Sequence, residues 1–161
     1  MHKTFAGALT ALALFALPAF AQQGFVETAA RPGTVEYNIW LGRTFSETML
    51  NERTQEGRVR ILNRIVAENY IQHNPLVPQG RKGLIDFIPV IYQAMPDARF
   101  KLHDVFATAD RVVTRWTWTG TLTGQGFLGI EPNGQKVEFD VIDLWSVKDG
   151  QLYEHWAQFD W

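Results

Sequence analysis

Two carboxylates, three histidines and one arginine lie among large apolar side chains in positions from which they could move protons. Asp143 interrupts an otherwise apolar and aromatic run, and on a two-residue strand period it shares a face with Phe139, Val141, Trp145 and Val147. A carboxylate there must be paired or must line a wet cavity, because burying it alone costs several kcal/mol or raises its affinity for a proton. It is thus a base candidate, and equally a structural carboxylate bonded to a neighbouring strand residue such as Arg115. Asp140 lies on the opposite face with Ile142 and Leu144 and is a rival base. His73 precedes Asn74-Pro75, where an imidazole can relay a proton at a pocket mouth or cap the turn. His103 alternates with Arg99 and Lys101 against Phe100 and Leu102, which suits a sheet surface or a ligand contact. His155 lies between Glu154 and Trp156, so its side chain points away from both.

The aromatic residues bear on ligand class. Trp116 and Trp118 share one strand face, while Trp145, Trp156 and Trp161 fall in the carboxyl-terminal part. Large rings chiefly bury apolar area in a core or at an interface. Where Trp118 and Trp145 line a cavity, its ligand is an apolar or aromatic small molecule. Other site types are missing. The run Gly124-Gln125-Gly126-Phe127-Leu128-Gly129 sits between strands with no following helix, so it is not a dinucleotide fingerprint. No H-E-x-x-H motif occurs, and neither Ser46 nor Ser146 sits in a nucleophile elbow, so no metal and no cofactor are expected.

These residues need a scaffold, and the chain supplies helices first and strands afterwards. Apolar spacing predicts a helix over 34–50, with Gly42 as a weak point, and a second over 54–69. A third, around Leu84–Ile91, is interrupted at Pro89. Strands are expected at 98–109, 111–123, 135–147 and 151–160, separated by Ala109-Asp110, the 124–134 loop and Asp149-Gly150. This order gives an α+β fold, with amino-terminal helices packed on a curved, mainly antiparallel sheet that leaves a blind pocket at its open end.

Composition bounds the whole. The chain has 161 residues, no cysteine, 46% hydrophobic content and a formal net charge of −2, which fits one folded domain and excludes a disulfide-stapled module. With 15 basic against 17 acidic residues there is no excess to attract nucleic acid or an anionic membrane. His2 and Lys3, the apolar run Phe5–Phe20 and Ala19-Phe20-Ala21 read as a signal peptide over 1–21, leaving a single domain over 22–161. The expected location is periplasmic or secreted, with no membrane association after cleavage.

Several segments also resemble a known family. Ala67 through Pro75, Gly80-Arg81-Lys82-Gly83, Asp110 through Arg115 and Gly120 through Gly124 occur in the order seen in SnoaL-like proteins. Phe127-Leu128-Gly129-Ile130, Pro132-Asn133-Gly134, Val141 through Leu144, Asp149 through Leu152 and Glu154-His155-Trp156 continue it. The resemblance runs from about Arg58 to Trp161. It implies a cone-shaped α+β barrel of the nuclear-transport-factor-two-like class, often a homodimer through its sheet. It further implies a polyketide or ester cyclase that closes a ring by aldol chemistry through a pocket aspartate, without metal or organic cofactor. Because the resemblance falls on Ile142-Asp143, it ranks Asp143 above Asp140 as the base.

It also places Tyr70, Glu154, His155 and Trp156 among residues that line or support the cavity. Many relatives carry histidine where this chain has Leu122, so His73 or Arg115 becomes the candidate donor to the developing oxyanion. The resulting reading is a cofactor-independent lyase, isomerase or cyclase acting on a small apolar carbonyl compound through an aspartate base. Two alternatives stand beside it. One is an exported small-molecule binding protein of the same fold without turnover; the other is an interaction domain that uses its aromatic sheet face.

Overall fold

In the computed structural model, which describes residues 26–160, Thr34 starts the first helix by accepting the Tyr37 backbone N–H at 3.2 Å. Helix α1 (Val35–Arg43) runs straight into a π-helical turn, Thr44–Met49, and the two together fill the 34–50 segment. Gly42 is needed there for contact. A Cβ at this position would sit 2.6 Å from Val112 Cγ1 and 3.0 Å from Thr114 Cγ2, so the helix lies almost against the sheet.

Helix α2 (Gln55–Ile65) is capped by Thr54, which accepts the Gly57 N–H. The helical spacing predicted through residue 69 stops at Ile65. From Val66 the backbone is extended and forms strand β1 (Val66–Gln72), which pairs in parallel with the last strand through Ile71 opposite Glu154 and Gln72 opposite His155. Tertiary pairing overrides the local period here.

Helix α3 (Gly80–Ala94) passes through Pro89 without a break, against the expected interruption. Proline removes the N–H that would bond the Ile85 carbonyl. Gln55 Nε2 donates to that carbonyl instead, at 3.1 Å, so α2 satisfies the group that α3 leaves open.

The remaining strands are β2 (Arg99–Ala107), β3 (Arg111–Thr121), β4 (Lys136–Lys148) and β5 (Gln151–Asp160). They form a curved open sheet in the order β1-β5-β4-β3-β2, antiparallel except at the β1 edge. Four strands were expected, and the fifth is β1. Asp149 and Gly150 link β4 to β5 with φ of 51° and 74°, as a two-residue hairpin turn of right-handed sheets requires. Leu41, Phe45, Leu62, Ile65 and Ile88 pack from the helices onto Val112, Trp116, Val141 and Trp145 of the sheet. The leader reading of 1–21 and Trp161 lie outside the described residues.

Replacing Gly42 by alanine should gain about 1 kcal/mol of helix propensity, but overpacking costs about 1–3 kcal/mol, so G42A is expected to lower the urea midpoint. In a V112A background, where the nearest methyl is gone and the Thr114 and Val105 contacts remain, the same change is expected to cost less. Equal losses in both backgrounds would show that close approach is not the reason for this glycine.

Candidate active site

The sheet's alternation decides which side chains meet the helices. On β4, Val141, Asp143 and Trp145 are buried, while Asp140, Ile142 and Leu144 face outward. On β3 the inner face carries Thr114, Trp116 and Trp118, and Arg115 is turned away. Strand β5 contains an irregularity: Ser146 pairs with Glu154 but Val147 pairs with Leu152, so Tyr153 is an extra residue. That bulge shifts the phase of the strand. Leu152 is inward before it, and His155, Ala157 and Phe159 line the interior after it.

Three inward side chains therefore converge. Trp116 Nε1–H donates to Asp143 Oδ2 at 2.8 Å, and His155 Nε2 lies 2.8 Å from Asp143 Oδ1. All three residues are at most 6% exposed. The imidazole is fixed by stacking: its ring lies 3.8 Å from Trp145 at an interplanar angle of 13°, and Phe45 of the π-turn packs edge-on against the same indole. Tyr70 lies on the other side of this group, 5.9 Å from Trp145 and 6.3 Å from His155. Burial, and secondarily the Asp143 charge, hold the Tyr70 proton well above the usual tyrosine range.

The neighbouring position on β1 is Gln72, buried and in register with His155. Its amide cannot flip. Oε1 accepts the Asn74 backbone N–H at 2.9 Å and Nε2 donates to Tyr70 Oη at 2.7 Å, which leaves a second Nε2–H. Gln79 bonds both backbone groups of Gln72 and so ties the following loop to the strand.

Asp143, His155, Trp116 and Gln72 border a cavity of about 310 Å³ between the sheet and α3. Its walls are mostly apolar, with Phe100, Trp118, Leu84 and Ile88 at the inner surface and Asp143, His155 and Gln72 as polar contacts. His73 is at the mouth, stacked on Trp156 at 4.6 Å and 6°, with Nε2 2.8 Å from Glu154 Oε1.

Among the sequence candidates, Asp143, His73, His155 and Trp118 border the cavity. Trp145 and Tyr70 do not line it but pack behind His155, and Glu154 and Trp156 hold His73 from outside. Arg115 and His103 lie on the outer face of the sheet, which separates them from Asp143, His155 and Trp118. Arg115 pairs with Asp104 (Nη2–Oδ2, 2.6 Å), and His103 Nε2 lies 2.6 Å from Thr117 Oγ1, whose hydroxyl donates to Asp140. Arg115 is therefore neither the partner of Asp143 nor a donor to a ligand in this cavity, and Asp140 and His103 do not reach it. Leu122 is buried in the core and does not line the cavity. Among the described residues, no group of three His, Asp or Glu side chains is placed to hold a metal ion.

Trp116 and Gln72 were missed. The alternation that grouped Trp116 with Trp118 held the signal for the first. Gln72 had none, because it falls in the short mixed segment after the predicted helix 54–69, which shows neither period.

A family model described as SnoaL-like polyketide cyclase matches residues 45–161. Among solved structures, TsrD from Streptomyces laurentii is 26% identical, with a TM-score of 0.67 over 78% of this chain and 89% of that one. A SnoaL-like polyketide cyclase from Agrobacterium tumefaciens is 22% identical, with a TM-score of 0.61 over 79% of this chain and 92% of that one. At the latter identity the likeness speaks for the fold alone. No curated protein matches this chain.

Burial also raises Tyr92, up to about 12, although Arg58 draws it back. An unfolded chain releases both tyrosine protons near the ordinary value of 10.0, before the folded protein does. The stability these groups contribute is thus complete below pH 10 and is lost as pH rises above it. Urea midpoints are expected to fall between pH 9 and pH 11, less steeply in Y70F. The same slope in Y70F would contradict the placement of Tyr70.

Proposed function

The chain belongs to the SnoaL-like polyketide cyclase family, and we propose that it is a cofactor-independent cyclase or isomerase of small apolar carbonyl compounds in which Asp143 moves the proton. One observation carries this reading: a carboxylate on the wall of an apolar cavity, with one oxygen held by Trp116 and the other by His155. Each carboxylate oxygen accepts more than one hydrogen bond, so both keep a lone pair after these contacts.

The chemistry follows from that lone pair. A ketone bound with its α-carbon against Asp143 gives up a proton to the carboxylate and becomes an enolate. The charge moves to the carbonyl oxygen, where the remaining Gln72 N–H is the neutral donor available on the same wall. In a ring closure the enolate carbon attacks a second carbonyl of the same molecule, one C–C bond forms, and the new alkoxide takes the proton back from Asp143. In an isomerisation the proton returns to a different carbon. Both sequences balance without an oxidant or an added group. Trp116 and His155 act through Asp143 by fixing its orientation, and His73 stands too far out, paired with Glu154, to share that task.

A second reading is ligand carriage without turnover. It draws on the burial of the Asp143 side chain, which is 2% exposed and already accepts two bonds.

Deuterium wash-in separates the two. With 2-tetralone as probe in D2O, the protein is expected to accelerate α-proton exchange, and D143N is expected to lose about 100-fold or more of that rate while binding the ketone as before. Exchange unaffected by D143N, or binding with no exchange in the native protein, would overturn the enzymatic reading.

A further inference from the structure

The loop Phe127–Ile130 contains a backbone conformation that its sequence does not favour. Phe127 and Ile130 exchange both backbone hydrogen bonds, each at 2.9 Å, around Leu128 and Gly129 with φ of 52° and 80°. A tight turn with two positive φ angles selects Asn-Gly or Gly-Gly. Glycine meets that demand at the second position. At the first, leucine is strained, since a bulky side chain in the left-handed region crowds its own backbone.

Leucine gains little there from packing in the protein itself. It is 42% exposed, yet it borders the cavity. The turn is anchored beneath it, because Phe127 is buried and packs edge-on against Trp118 at 5.6 Å. The loop after β1 repeats the arrangement without the strain. Leu76 is 49% exposed and borders the same cavity, held in a turn by Asn74, whose side chain accepts the Leu76 N–H at 3.0 Å. Two separate loops thus each present a half-exposed leucine to one cavity. Strain kept at such a residue points to a role that the empty protein does not display.

We propose that Leu128, with Leu76, forms an apolar rim that contacts the bound ligand and selects molecules whose apolar body extends from the Asp143 wall to the mouth. The inference rests on the cavity being a ligand site, but not on Asp143 as a base. A ligand of this class carries its reactive carbonyl at one end and a flat or branched hydrocarbon portion at the other. The rim covers that second portion, which the inner walls do not reach. Compact ketones confined to the Asp143 end gain nothing from it.

The test uses two ketone probes, cyclohexanone as the compact one and 2-acetylnaphthalene as the extended one, with binding followed by titration calorimetry and stability by thermal unfolding. Asparagine suits the left-handed position, so L128N is expected to raise the melting temperature while weakening 2-acetylnaphthalene at least fivefold and leaving cyclohexanone within twofold. L76S is expected to show the same selectivity without the rise in melting temperature. V90S, which alters an exposed valine of α3 outside the cavity lining, is the control and is expected to change neither. Unchanged affinity for the extended probe in L128N, equal losses for both probes, or failure of the native protein to bind the extended probe would each overturn the proposal. D143N separates this from the catalytic reading, since a rim contact survives that substitution and proton exchange does not.

Discussion

The molecule is arranged around the need to keep a carboxylate inside an apolar interior. An isolated carboxylate at Asp143 would be costly, since nothing in Val141, Trp145 or Phe45 can replace its hydration. Two N–H groups from the flanking strands meet that demand, Trp116 on β3 and His155 on β5. Much of the surrounding order serves to hold those donors. Trp145 fixes the imidazole by stacking, Phe45 fixes Trp145, and the π-helical turn that carries Phe45 continues directly from α1, which Gly42 lets lie close to the sheet. Held at both oxygens, the Asp143 carboxylate is fixed in orientation, which is what a proton-transfer site requires.

The bulge at Tyr153 is the second determinant. Without it, β5 would turn Glu154, Trp156 and Gln158 inward after Leu152, and a second carboxylate would face Asp143 in place of an imidazole. With it, Glu154 faces outward and pairs with His73, so one extra residue separates the buried pair from the pair at the mouth. The parallel edge strand completes the wall. It places Gln72, its last residue, beside His155, and His73 then opens the loop that carries Leu76.

The parts of this architecture that were legible from sequence are those governed by local periodicity. Alternation along β4 gave the face of Asp143 correctly, and the Asp149-Gly150 turn marked the β4–β5 hairpin. What escaped depends on contacts far apart in the chain. Residues 66–69 continue a helical pattern, and only pairing with β5 makes them a strand. Pro89 forecasts a break that Gln55, from another helix, repairs. The bulge has no local signature, so the choice between His155 and its neighbours as inward groups stayed open. Arg115 was misleading for a related reason: a charge in a central strand reads as a site residue until the face is known, and its face here is the outer one, beside Asp104.

The most direct measurement is a crystal structure of the protein soaked with 2-acetylnaphthalene. The arrangement described here places the ketone in the cavity, with its methyl carbon about 3–3.5 Å from an Asp143 oxygen and its rings against Trp118. The hydrogen bonds from Trp116 and His155 to Asp143 should persist. A ketone bound elsewhere, or one inside the cavity with its acidic carbon turned away from Asp143, would contradict it.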